Sequence, residues 1–229
     1  MLKSKIVLAF SLLFGICLSL KAAEYVPTTS WPYIYEEFIP GRILTHQGGS
    51  ISYDKLNVNL VSGRVHYVEN GVIMQADLNT IALLVIGDDS YMCVGGRMLR
   101  VLKNSQHSAV LLRITIDTDA MNSADIGYGK SSIASTSNLS LSALSSGMDY
   151  SVNRSLDDLL KERTSGEPLV LREVQGVYYK GTFVPASRVD VLKIPGIDKN
   201  AVKQYLKTEK IKFSKIDDLA KLADFLYSL

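Results

Sequence analysis

Residues 64–75 read RVHYVENGVIMQ. Asn70-Gly71 divides two runs rich in Val, Ile and Tyr. That dipeptide tolerates positive φ at both central positions of a two-residue turn, and the twist of such a turn matches its flanking strands. The stretch therefore predicts a tight antiparallel hairpin. Similar punctuation recurs from Phe38 to Thr118, at Gly48-Gly49, Ser62-Gly63, Gly87-Asp88-Asp89, Gly95-Gly96 and Asn104-Ser105. Turn signals separated by roughly 8–12 residues suit an antiparallel sandwich or barrel. Leu83 to Ile86 and Val110 to Leu112 are continuously apolar, as expected of strands buried on both faces.

The texture changes after this β-rich stretch. Serine dominates from Asp125 to Gly147, and large aromatics vanish after Tyr128. Such a segment has little apolar surface with which to offset its ordering entropy, so a long flexible loop is expected. Leu156 to Arg163 reads as a short helix, Val177 to Val184 as a hairpin about Gly181, and Ser187 to Leu192 as a further strand. Asp198 can cap a helix from Lys199 to about Thr208. Ser214-Lys215-Ile216-Asp217 resembles a capping box opening a second helix, whose apolar stripe is Ile216, Leu219, Leu222, Ala223, Leu226 and Leu229. The fold class expected is α+β and mostly β: an antiparallel β-sandwich or partly open barrel followed by a small two-helix C-terminal tail. The segments are a leader over 1–23, a β-rich core over 24–124, the Ser-rich loop over 125–147, a short helix with additional strands over 148–193, and the two-helix tail over 194–229.

The leader expectation rests on Lys3 and Lys5, then 15 uncharged residues from Ile6 to Leu20, then Lys21-Ala22-Ala23. This is the layout of a secretory signal peptide. The apolar run falls short of the roughly 20 residues a membrane-spanning helix needs. Cys17 raises a lipoprotein alternative, but Ile16 before it is bulky where lipid attachment wants a small residue. The leader holds three of the 25 Lys+Arg and none of the 23 Asp+Glu, so the remainder carries a formal charge of −1. No bulk positive charge is left to argue for nucleic acid. Beyond the leader Cys93 is the only cysteine, which rules out an internal disulfide and predicts a buried, inert thiol.

Several motifs bear on chemistry. Residues 127–132, GYGKSS, echo a phosphate-binding loop. The G-x-x-x-x-G-K-[ST] pattern needs a glycine where Ala124 stands, and a helix where serines follow, so no nucleotide is expected. His46, His66 and His107 form no zinc-type pair, so no metal or other cofactor is expected, and each reads as a surface or strand-end residue. Asp117 and Asp119 lack the glycine and closing glutamate of a calcium loop. No G-x-S-x-G nucleophile motif occurs. Glu36-Glu37, Asp88-Asp89, Asp157-Asp158 and Asp217-Asp218 are paired carboxylates that point to no particular chemistry. Trp31, Tyr33, Tyr35 and Phe38 read as core or edge packing, or as a stacking platform for sugars or a partner.

Phrases spread over most of the chain carry a resemblance. They are Tyr35 to Gly41, Leu56 to Leu60 with Gly63 to Val68, and Gly127 to Ser131. Tyr178-Tyr179, Phe183 to Pro185, Ile211 to Phe213 and Asp217 to Leu219 complete them. Together they resemble a group of exported proteins of Bacteroidota-type bacteria. The group often has Phe-Pro where this chain has Ile194-Pro195. The resemblance implies secretion and a β-rich domain with a helical tail, and no activity.

The candidate binding residues are Lys199, Lys203 and Lys207. Their four-residue spacing lines one face of the first tail helix. The function expected is non-enzymatic: an exported domain, periplasmic or associated with the outer membrane, with an interaction or assembly role in the cell envelope. Its expected partner is an acidic envelope surface or another envelope protein, with no nucleic acid, no nucleotide and no membrane span in the mature chain. The alternatives are a hydrolase acting on envelope glycans or peptides, and a small-ligand carrier using a barrel interior.

Overall fold

A computed structural model describes residues 25–105, 107–123 and 149–229. The leader and Ser-rich loop expectations lie outside the described residues. The fold is mostly β, an open ten-stranded sheet in which every neighbouring pair is antiparallel.

Four strands form a first meander: β1 (Ile39–Thr45), β2 (Ser50–Val58), β3 (Val65–Glu69) and β4 (Val72–Gln75). A 3-10 turn over Leu78–Thr80 leads to a second: β5 (Ile81–Ile86), β6 (Asp89–Val94), β7 (Arg97–Asn104) and β8 (Ala109–Ile116). β9 (Leu171–Tyr179) and β10 (Thr182–Pro185) extend it, so the sheet order is β10-β9-β8-β7-β6-β5-β1-β2-β3-β4. Among the described residues the helices are α1 (Thr118–Ser123), α2 (Leu156–Glu162), α3 (Arg188–Val191), α4 (Lys199–Thr208) and α5 (Ile216–Ser228). None of the described helices is long and apolar enough to cross a membrane.

The predicted Asn70-Gly71 turn is present. Both residues have positive φ, 50° and 79°, and Glu69 pairs with Val72 across it. Gly41 is required for a different reason. A Cβ there would stand 2.5 Å from the Val85 carbonyl oxygen, at the point where the β1–β2 register shifts. Val110, Leu111 and Leu112 are all buried, as their unbroken apolar run predicts. Val110 faces α4 and α5, while Leu111 faces the opposite side with Leu99 and Phe183.

The two exposed ends of the sheet are handled differently. An unpaired edge invites pairing with another chain. At β4 the segment 153–156 covers the edge: Ile73 N–H donates to Arg154 O at 2.9 Å, Asn153 N–H to Ile73 O at 2.8 Å, and Leu156 N–H to Gly71 O at 2.8 Å. At the other end β10 is four residues long and closes on Pro185, which has no N–H to offer.

Two local expectations are corrected. Ser187 to Leu192 forms the short helix α3 rather than a strand, because the Ser187 hydroxyl caps it, accepting from Asp190 N–H at 3.1 Å. The capping box at Ser214 does not form. The N-cap of α5 is Lys215, without a side-chain bond, and Asp218 instead accepts from Lys212 N–H at 3.0 Å. Asp198 does cap α4, accepting from Asn200 and Ala201 N–H at 2.9 and 3.0 Å.

α5 lies across β7, β8 and β9. Leu219, Leu222 and Leu226 are buried with Val202 and Leu206 of α4 and Val110, Val177 and Val184 of the sheet. Replacing Leu222 by Ala leaves a cavity at this contact, at a cost of about 2–5 kcal/mol. Urea denaturation should show that loss, against a change of about half a kcal/mol for Lys221→Ala on the solvent side. Equal midpoints for the two variants would mean that the helices are not docked as described.

Candidate functional site

Strand alternation at Leu56-Asn57-Val58-Asn59 and Val65-His66-Tyr67 suggests one apolar face and one wet face. Leu56, Val58 and Val65 do enter the central core with Ile43, Leu84 and Tyr91. The polar side is not wet: Asn57, Asn59 and His66 are all fully buried. This corrects the surface reading of His66. The side is roofed by two segments remote in sequence, residues 31–38 and 149–156.

Asn57 ties down the first roof. Its Nδ2 donates to the carbonyls of Tyr35 and Glu37 at 2.9 and 3.0 Å, and its Oδ1 accepts from Tyr35 N–H at 3.1 Å. The aromatics of that segment turn inward. Trp31, Tyr33 and Phe38 are buried against one another and against Ile73, Leu156 and Leu159. Core packing is thus their role, and these three offer no face to a sugar. Tyr35 differs, bonding Tyr91 Oη at 2.7 Å and donating to Asp89 at 2.8 Å.

His66 and Asp149 join the second roof to the sheet. Tyr33 Oη lies 2.9 Å from His66 Nδ1. His66 Nε2 stands 3.0 Å from Asp149 Oδ2, in a direction that falls short of a hydrogen bond. Asp149 also accepts from Ser62 Oγ at 2.8 Å and Ser151 N–H at 3.0 Å, with Asn59 Nδ2 at 3.4 Å. Burial opposes the charge on this carboxyl, yet His66, the Ser151 amide and the Ser62 hydroxyl together hold it below the usual carboxylate range. Burial pushes the Tyr33 phenol up, so it stays protonated. A Tyr–His–Asp chain has the parts for acid–base chemistry. Tyr33 and His66 have no exposed surface, however, so the arrangement holds segments together.

The open concavities lie elsewhere. A cleft of about 550 Å³ runs between the β9–β10 hairpin and the 190–197 stretch, with Tyr179, Phe183, Pro185 and Ile194 in its lining and Lys180, Lys193 and Asp190 among its charged groups. A smaller one, about 290 Å³, lies between β7, β8 and the β9–β10 turn. Lys199, Lys203 and Lys207 are brought together on α4. All three are exposed, and none has an ion-pair partner among the described residues. Val202 and Leu206 anchor the other side of that helix. His46 is exposed at the end of β1, while His107 and the Asp117 pair take structural places. His107 stacks on Tyr227 with ring centroids 5.0 Å apart, and Asp117 receives Arg172 at 2.7 Å. Cys93 is half-buried, and burial raises its thiol. Among the described residues no group of three His, Cys, Asp or Glu is placed to hold a metal.

Among known proteins, no family model, no curated protein and no solved structure matches this chain.

The His66–Asp149 contact sets a pH dependence. A carboxyl whose folded-state value is depressed stabilises the fold above its unfolded value, and that contribution is lost as pH falls through the folded value. Asp149→Asn should therefore reduce stability at neutral pH by about 1–3 kcal/mol and flatten the loss on acidification. Urea midpoints at neutral and acid pH measure both. Parallel pH profiles for parent and variant would show that the contact contributes nothing.

Proposed function

We propose that this chain is an exported, non-enzymatic domain that acts by binding in the bacterial cell envelope, in the periplasm or at the outer membrane. In this proposal the open sheet curls as a sandwich or partly open barrel, and α4 and α5 are a tail docked at one end. The observation that carries it is the face of α4. Lys199, Lys203 and Lys207 stand in solvent without ion-pair partners among the described residues, on a helix held in place by Val202 and Leu206. Like charges at this spacing repel mildly, so their alignment has a cost that an acidic partner would remove. The partner proposed is an acidic envelope surface rich in phosphate groups, with an acidic protein patch as the other candidate.

The hydrolase alternative receives no support from the buried His66–Asp149 contact. The carrier alternative is supported by the cleft beside β10, though that ligand would sit at the end of the sheet.

Lysine contacts of this kind weaken as salt rises, because exposed charges are screened over roughly 10 Å at 0.1 M ionic strength. At low salt the parent should co-sediment with isolated envelopes. The variant with Lys199, Lys203 and Lys207 all replaced by Gln should not, while its stability shifts by only about half a kcal/mol. Undiminished association of the triple variant would sink the lysine contact and favour the cleft. Export has its own check: mass spectrometry of the secreted chain should find an N-terminus between residues 22 and 24, without lipid on Cys17. A lipid-modified Cys17 at the start of the mature chain would overturn cleavage at that point.

A further inference from the structure

Two arginines share the sheet face opposite α4 and α5. Alternation along β7 puts Arg97 on the side of Leu99 and Val101, and alternation along β8 puts Arg113 on the side of Leu111. Both line the cleft of about 290 Å³, with Val94, Leu99, Thr182 and Phe183. No carboxylate is among its lining residues. Neither guanidinium has an ion-pair partner among the described residues, although Asp117, Asp89 and others pair with arginines elsewhere.

The two are held differently. Arg97 is a fixture: its Nη1 donates to Val61 O at 3.0 Å and its Nη2 to Leu60 O at 2.9 Å. Burial, and then the charge of Arg113, both lower its pKa, the signature of a cation brought near another without compensation. Arg113 lies with its Cζ 4.8 Å over the Phe183 ring. Stacking uses the flat face of a guanidinium and leaves its N–H edge open, and that edge matches a carboxylate with two parallel bonds. No hydrogen bond engages it among the described residues. Val94, Leu99 and Phe183 supply an apolar floor, the first two largely buried and Phe183 half-buried, while Thr182 and two glycines complete the lining.

We infer that this cleft binds a small monocarboxylate with a compact apolar body. Arg113 takes the carboxylate in its plane, Arg97 adds a fixed positive charge behind it, and the apolar body rests on Leu99, Val94 and Phe183. A bare phosphate or sulfate would leave that apolar floor uncovered. Ligand pockets usually start near 300 Å³, so the size of the cleft limits the body to about that of a single ring or short branched chain. The site is independent of the lysine face on α4.

Benzoate is the test ligand, with inorganic phosphate and benzyl alcohol as comparisons, each titrated into the purified protein by calorimetry and by amide chemical-shift mapping. Benzoate should bind saturably and shift the amides of Val94, Leu99 and Thr182. Arg113→Gln should weaken it by roughly tenfold or more, the loss of a charged hydrogen bond, and Arg113→Lys should restore only part of this, since a point charge lacks the fork. Circular dichroism of these variants should match the parent, because Arg113 holds no backbone group. Absence of saturable benzoate binding would overturn the inference. So would phosphate binding as tightly as benzoate, which would leave a bare anion site, or benzyl alcohol doing so, which would remove any role for the arginines.

Discussion

β1 hydrogen-bonds along both of its edges, to β2 from Ile39 to Leu44 and to β5 from Gly41 to Thr45. Each meander alone could form from contacts between sequence neighbours. Only the β1–β5 pairing, which reaches back some 40 residues, fuses them into one sheet. It works because Gly41 lets the β5 backbone approach to a distance at which any side chain would collide with Val85. It also puts Ile43, Leu84 and Ile86 beside Leu56 and Tyr91 in one core. Every later element depends on that continuity, because β9 and β10, and with them α4 and α5, are added to the end of the row that β5 begins.

The polar face of β2 and β3 follows from the same geometry. With Leu56, Val58 and Val65 turned to the core, Asn57, Asn59 and His66 must turn the other way. Burying three polar side chains is costly unless each finds partners. Asn57 finds backbone groups of residues 35–37 and Asn59 finds the turn it precedes, accepting from Val61 and Ser62 N–H at 2.8 and 2.9 Å. His66 finds Tyr33 and Asp149. An apolar roof would be satisfied in many positions, whereas these groups accept only one, so the network fixes where the N-terminal segment and residues 149–156 lie. Those residues then cover the β4 edge, so the same polar network also protects that end of the sheet.

Sequence reading succeeds here where the cause is local. Asn70-Gly71, the Lys180-Gly181 turn between β9 and β10, the Asp198 cap and the amphipathic stripe of α5 are all determined within a few residues. It fails where the cause is distant. Nothing near His66 announces that Tyr33 and Asp149, 33 and 83 positions away in the sequence, will seal it. An alternating strand looks the same whether its polar side meets water or a roof. The failures at Ser187 and Ser214 are of another kind. A serine can cap a helix, extend a strand or do neither; Ser187 caps α3, whose Val191 packs with Val202 and Leu206 from a distant part of the chain. The exposure of the α4 lysines along one helix is legible because helical spacing alone determines it. The Arg97 and Arg113 pair was invisible, since the two lie on different strands and carry no motif.

Charge is distributed over this molecule by the pleat as much as by composition. The chain is close to neutral, yet among the described residues cations without an ion-pair partner include two groups on separate surfaces. α4 carries lysines, flexible point charges suited to a broad acidic surface whose groups need not be fixed in position. The opposite sheet face carries arginines, one pinned by two carbonyls and one stacked on a ring, which suits a single planar anion held in one geometry. Several carboxylates are engaged elsewhere, with Arg154, Arg163 and Arg172 and at the start of α4. A near-zero net charge is therefore compatible with two positive groups of different character, and the difference between them lies in how rigidly the fold holds each cation.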